Sequence, residues 1–472
     1  MNRAARALLE ALGGLPERAG SPWERLLGSL RCRAGTEFGA EHGFGDIRDE
    51  RDFREAVPAR NYDEYSGWIA RAADGGKDVL PCGEVIAFER TSGTRSGAKL
   101  IPVTEGLRED FAHGMAAWLG AWRRNFPEVF GGRAYWAISP PAMAAGTTPG
   151  GLKVGLDGDG AYFPDAIGAG LADWLVVPET GGEASAFFAA TAEKLLTTDD
   201  LSLVSVWSPT FLLCIDAEVA RLRPGKTWRQ IWPQLALVSC WADASSARWI
   251  PRLRERLGGI PIEPKGLLAT EGVTSIPAGS RGSARLAHEC HYHEFLDREG
   301  GHLPREKLRI GTVCEVLLST SGGLLRYRSG DLARITGFTD RGLPEMRFHG
   351  RKGLVSDLVG EKLAEETVAA AFAKAEACGF LAADPDAPGY EIWIEDTGKA
   401  DSVVCQLLEN PYFRQAVGLG QLAPCMPMVL KEGWVRDFSA ALARKRGCRI
   451  GDVKPPALYQ QQTSGEVAEW MG

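Results

Sequence analysis

Four small hydroxyl residues and two glycines occupy the seven positions from Thr91 to Gly97, and Lys99 follows two places later. Glycine tolerates the backbone angles that turn N–H groups inward, and hydroxyls add donors. A lysine supplies a point charge to a phosphoryl oxygen. Such a loop suits the phosphates of a nucleotide, although composition alone also describes a flexible surface turn. The strict pattern G-x-x-x-x-G-K-[ST] is not met, because Ala98 separates Gly97 from Lys99 and Leu100 comes next. Downstream, Thr270-Glu271 stands between Ala269 and Gly272 after an apolar run. A threonine and a carboxylate there could hold a metal ion and a substrate phosphate, or simply cap the next element. Asp331 follows Leu324–Gly330 and suits a carboxylate accepting two hydrogen bonds from a ribose diol, or a β-turn aspartate.

The densest group of ligand types is His288, Cys290, His291 and His293. In a strand, His291 and His293 share one face while His288 and Cys290 point to the other. No second ligand group stands at zinc spacing, so the expectation is a half-exposed strand and no metal.

These residues need elements to position them. Val85–Phe88, Leu203–Trp207, Leu235–Trp241 and Ile260–Glu263 read as buried strands, with helices over roughly 184–196 and 245–257. Strands alternating with helices predict βα units and a largely parallel sheet, with the ligand beyond the carboxyl ends of the strands. The loops at 91–97, 208–210 and 242–245 would then converge. Trp207, Ser208 and Thr210 are placed to line a pocket where these loops meet, with Trp241 as a second candidate wall. Residues 1–80 read as a helical packing layer, and 281–350 as β-rich. An Ala-rich amphipathic helix is expected over 361–375, beyond a hinge near 350–354. The fold expected is α/β: a large N-terminal domain (1–350) with mainly parallel sheets and a β-rich part, and a small α+β C-terminal lid domain (351–472). The basic tail, Arg444–Pro456, reads as a solvated face.

The chain has 472 residues, 54 Lys and Arg against 61 Asp and Glu, and a net charge of −7. That balance excludes a general nucleic-acid binder but not an anionic substrate, which needs only local cations. Ten scattered cysteines without C-x-x-C pairs fit a reducing cytoplasm. No apolar run approaches the roughly 18 residues of a membrane span, so no membrane partner is expected.

Taken in order, the hydroxyl-rich loop with its lysine, the Thr-Glu loop and Tyr327-Arg-x-Gly-Asp331 resemble the adenylate-forming superfamily, whose phosphate loop reads T-S-G-T-[TS]-G-x-x-K. Arg95 and Ser96 depart from that pattern. The flanks Thr36–Gly39, Phe53–Tyr62, Ser208-Pro209, Lys265–Gly272 and Gly360–Leu363 resemble the auxin-responsive family of acyl acid-amido synthetases, in its bacterial form. The resemblance implies an ATP-dependent enzyme that activates a carboxylic acid as its adenylate and passes the acyl group to an amine, commonly that of an amino acid. It implies that Ser92, Gly93, Thr94 and Lys99 hold ATP phosphates and that Thr270 lies near the α-phosphate. Glu271 would be a Mg²⁺ ligand, Asp331 would hold the ribose, and Lys454 would reach the carboxylate and α-phosphate. Leu267-Leu268 replace the aromatic residue often found there. An acyl-CoA ligase shares the first half-reaction, and an inactive binding protein would share the fold.

Overall fold

Buried strands alternating with helices between residues 133 and 264 build a four-stranded parallel sheet. Arg133–Trp136, Leu201–Ser205, Leu237–Cys240 and Ile262–Pro264 lie side by side in chain order. Alternate residues feed two cores, as a pleated strand requires. Val204 and Val238 join a cluster with Phe211 and Trp249, whereas Leu203 and Leu237 join Trp118, Trp122 and Trp136. The strands are shorter at their carboxyl ends than the apolar runs suggest. The chain leaves the sheet after Ser205 because Pro209 opens the helix Pro209–Leu222. Trp207 and Trp241 therefore stand beyond the strands. The computed structural model describes residues 1–91, 99–136, 146–156, 159–178, 184–278, 283–352, 355–384 and 388–471.

The hydroxyl-rich stretch belongs elsewhere than the parallel sheet. Val85–Thr91 pairs antiparallel with Lys99–Thr104, Thr91 opposite Lys99, in a separate sheet. The expected loop after a βα-type strand is thus a hairpin connection, and Lys99 opens its second strand. Ser92, Gly93 and Thr94 lie outside the described residues. Phe88 and Ile101 of this hairpin pack on Phe38, Phe44, Phe53 and Tyr65, so the N-terminal helices serve as the packing layer beneath it.

Residues 275–351 form the β-rich part, a six-stranded antiparallel sheet. Asp331 was expected directly after a strand but lies inside Tyr327–Phe338. Gly330, with φ +81°, takes a conformation that side chains disfavour, and the ladder continues past it with a register shift opposite Glu315 and Leu317.

Beyond residue 354, a second mixed sheet runs in the order Met426–Val429, Tyr390–Ile394, Gly379–Ala383, Leu458–Gln460. The Ala-rich helix begins at Glu365, later than expected, because Leu363-Ala364 pairs with Val355-Ser356. One apolar cluster, including Val368, Phe372, Ile392 and Val403, is confined to this part. A second is shared with the parallel-sheet core: Phe380, Trp434 and Phe438 join Phe211 and Trp249, with the Trp249 and Trp434 rings 5.6 Å apart. The basic tail is not a solvated face. Its first turn ends the helix Trp434–Arg446, and Ile450 and Val453 are buried. Among the described residues no helix is long and apolar enough to cross a membrane.

Candidate functional site

The carboxyl ends of the four parallel strands deliver Trp136, Trp207, Trp241 and Lys265 in turn. A cavity of about 560 Å³ opens there. Its apolar wall includes those three tryptophans together with Phe111, Met115 and Trp118, which repeat along one face of the helix Glu105–Asn125. Lys99, Thr270, Glu271, Asp331 and Lys454 line the same cavity. Residues separated by as much as 355 positions are thus brought together. Ser208 and Thr210 do not join them. Both are 1% exposed and hydrogen bond to each other, Oγ to Oγ1 at 2.6 Å, at the start of the Pro209 helix.

Thr270-Glu271 is the two-residue turn of a small hairpin, Leu268-Ala269 with Gly272-Val273, so neither residue caps a helix. The histidine cluster explains how that turn is held. Val273 N–H donates to His291 Nε2 at 3.0 Å, which leaves the His291 proton on Nδ1, 3.1 Å from Asp110 Oδ2. His293 Nε2 donates to Val273 O at 3.1 Å. A Cβ on Gly272 would come within 2.8 Å of His291 Nε2, so glycine permits this approach. Burial pushes the His293 pKa down to about 3, which keeps it neutral. Burial works against ionisation of Asp110, but His291 and Arg18 together hold its pKa below the ordinary value. His291 is 3% exposed, not half-exposed as the sequence suggested, because its two nitrogens serve buried partners. No group of three or more metal-ligating side chains occurs among the described residues.

Glu271 is buried, and Tyr327 Oη donates to its Oε1 at 3.3 Å. Burial raises its pKa; Arg351 and Lys99 counteract this, while Asp331 adds to it. Asp331 and Arg351 are cross-strand partners, and Oδ1 lies 3.3 Å from the guanidinium Nε. Lys99 Nζ stands 5.0 Å from the Tyr62 ring centre. Lys454 Nζ lies 3.9 Å from the centre of a Trp241 ring and 4.9 Å from that of Phe348. Burial lowers its pKa, with Asp331, Glu365 and Asp243 opposing. The segment carrying Lys454 is held from across the molecule. Half-buried Arg248 donates to Pro455 O at 3.2 Å, to Pro456 O at 3.1 Å, and to Gly379 O.

Two charged groups behind the tryptophan wall escaped the sequence reading. Lys265 Nζ donates to Ser205 Oγ at 2.7 Å and lies 4.6 Å from ring centres of Trp118 and Trp207 and 5.1 Å from that of Trp136. Glu263 Oε2 accepts from the indole N–H of Trp122 at 2.6 Å and of Trp118 at 3.2 Å. Burial pushes the Glu263 pKa up to about 7. Their alternate spacing at a strand end was the available signal. Nothing in that signal named the rings that would surround them.

Residues 23–214 match the family model of the GH3 family N-terminal domain, and residues 285–351 that of the GH3 family central domain. Indole-3-acetic acid-amido synthetase GH3.8 of Oryza sativa subsp. indica is 24% identical over 427 residues, covering 75% of this chain and 70% of the relative. Probable indole-3-acetic acid-amido synthetase GH3.1 of Arabidopsis thaliana is 23% identical over 528 residues, covering 92% and 88%. Among solved structures, the AtGH3.15 acyl acid amido synthetase in complex with 2,4-DB superposes with a TM-score of 0.80 at 18% identity, covering 99% of this chain and 95% of that one. A 2-hydroxyisobutyryl-CoA ligase in the postadenylation state gives a TM-score of 0.55 at 14% identity, covering 95% and 94%.

Proposed function

The chain belongs to the GH3 family, and we propose that it activates a carboxylic acid with ATP as an acyl adenylate and transfers the acyl group to an amine, with amino acids as the acceptor class. The observation that carries this reading is one cavity lined by Lys99, Thr270, Glu271, Asp331 and Lys454 on one part and by tryptophans on another. The apolar part suits the body of an acid. The polar part suits a nucleotide.

The first half-reaction brings a carboxylate against a polyphosphate, and the two anions repel unless cations lie between them. Lys99 would face the phosphates and Lys454 the attacking carboxylate and α-phosphate. Asp331 would accept the ribose hydroxyls, with Arg351 fixing its carboxylate through Oδ1. Thr270, on the turn clamped by His291, would lie at the α-phosphate. Trp207 and Trp241 would bound the acyl group.

A Mg²⁺ ion accepts one or two carboxylates and completes its shell with phosphate oxygens and water. Glu271 fits that demand: its buried carboxylate is disfavoured as an anion, and a cation would relieve this. The ion would neutralise phosphate charge there. In the second half-reaction a neutral amine attacks the acyl carbon while the small unit, residues 351–472, keeps water out as a lid. The apolar cluster confined to this part supports treating it as a unit. Ten free cysteines suit a cytoplasmic setting.

ATP–pyrophosphate exchange with a panel of aryl and alkyl acids tests the scheme. The parent should exchange with some acid, and Lys99→Ala should lose roughly ten- to hundred-fold, the value of a charge-assisted hydrogen bond. No exchange with any acid would make the chain a binding protein of the same fold. Product formed with CoA but with no amine would make it an acyl-CoA ligase.

A further inference from the structure

Several cations line the cavity, Lys99, Arg351, Arg446 and Lys454 among them. Arg351 is paired with Asp331, and Lys454 lies on Trp241 among three carboxylates. Arg446 is different. Its side chain lines the cavity, yet its guanidinium makes no hydrogen bond or ion pair among the described residues. The carboxylate nearest in influence, Glu365, accepts the Ala457 N–H at 3.0 Å through Oε1. Burial draws the Arg446 pKa below its ordinary value, and Arg351 adds to that. A cation in this state is costly unless an anion reaches it.

Local structure explains where Arg446 stands but not why it lacks a partner. It is the last residue of the helix Trp434–Arg446, and Gly447, with φ +61°, turns the chain away. A basic residue there complements the helix dipole. Exposed Arg444 already does so, and Lys445 is held by Glu466 and the Tyr459 hydroxyl, whereas Arg446 lines the cavity that Gln460 and Gln462 also line.

We propose that Arg446 binds the α-carboxylate of the acceptor amino acid, an assignment that rests on the amide-forming reading above. A guanidinium offers two parallel N–H donors to a carboxylate, which fixes the ligand's orientation as well as its position. The acceptor enters after pyrophosphate has left, as a neutral amine that has already given one proton to solvent. Its nitrogen lone pair forms the C–N bond, and the bond from the acyl carbon to the phosphate oxygen breaks. AMP leaves with that electron pair, and the nitrogen releases a second proton to solvent. Arg446 holds the far end of the acceptor during these steps and takes no part in the bond changes. It is therefore a specificity-determining residue for the class of amine.

The test uses the full chain, an acid that supports exchange in the parent, and two acceptors, L-alanine and L-alaninamide. The second keeps the amine and side chain but has no carboxylate. Arg446→Met should raise the KM for L-alanine about ten- to hundred-fold and leave that for L-alaninamide within about two-fold. Arg446→Lys should recover part of the loss. Pyrophosphate exchange, which precedes acceptor entry, should keep its rate and also reports that the variant is folded. Equal losses with both acceptors, or slower exchange in a variant that melts like the parent, would overturn the assignment and leave the adenylation scheme standing. A parent without exchange would overturn both.

Discussion

At the scale of single residues, the charges buried beneath the tryptophans have the clearest consequences. Glu263 lies where its carboxylate is poorly solvated, and burial lifts its pKa from the ordinary 4.5 to about 7. The folded chain therefore holds that proton more tightly than the unfolded chain. The resulting stability is fully present below about pH 4.5 and is lost as pH rises through about 7. A shift of this size corresponds to about 3 kcal/mol. Glu263→Gln keeps an oxygen for the Trp122 indole but cannot ionise. Its melting temperature relative to the parent should thus rise by a few degrees between pH 5 and pH 8. The same difference at both pH values would mean that Glu263 does not titrate in that window. Neither Glu263 nor Lys265 could be assigned this role from the sequence, because the role depends on rings drawn from residues 118, 122, 136 and 207.

Elements were more legible than contacts. Strands with apolar runs and helices with strong periodicity fell close to their expected positions, since each carries its burial pattern locally. The helix Ala184–Leu196 and the parallel strands are examples. Pairing partners were not legible, which is why a loop expected in the βα scheme proved to be the connection of a hairpin. Lys99, Thr270, Glu271 and Asp331 could be picked out as a group because each sits in a short motif. His291 could not, because its role comes from meeting a hairpin eighteen residues upstream. His291→Ala would orphan the Val273 N–H and leave Asp110 with only Arg18 and the Ser321 N–H. It should cost about 1–3 kcal/mol and loosen the Thr270-Glu271 turn. Urea unfolding followed by far-UV dichroism checks this, and an unchanged midpoint would mean that the histidine holds nothing.

Over the whole molecule, the part beyond residue 354 is joined to the parallel-sheet part through a shared apolar core as well as through Arg248. Trp249, 1% exposed and packed on Trp434, lies at the centre of that seam. Trp249→Ala should cost about 3–5 kcal/mol. If residues 351–472 form a unit of their own, as proposed, the loss falls between the two parts and a single unfolding transition in the parent should separate into two. One transition with the parent's midpoint would show that the seam does not couple them. The tryptophans at the strand ends give this architecture an optical property as well. Trp207 and Trp241 have ring centres 5.7 Å apart, and Trp118, Trp136 and Trp207 surround one ammonium group. Their emission depends on water and charge in the space that an acid would fill. The protein thus carries its own lamp in the wall of the cavity: under the proposed assignment, an acid that enters should dim it in a saturable way.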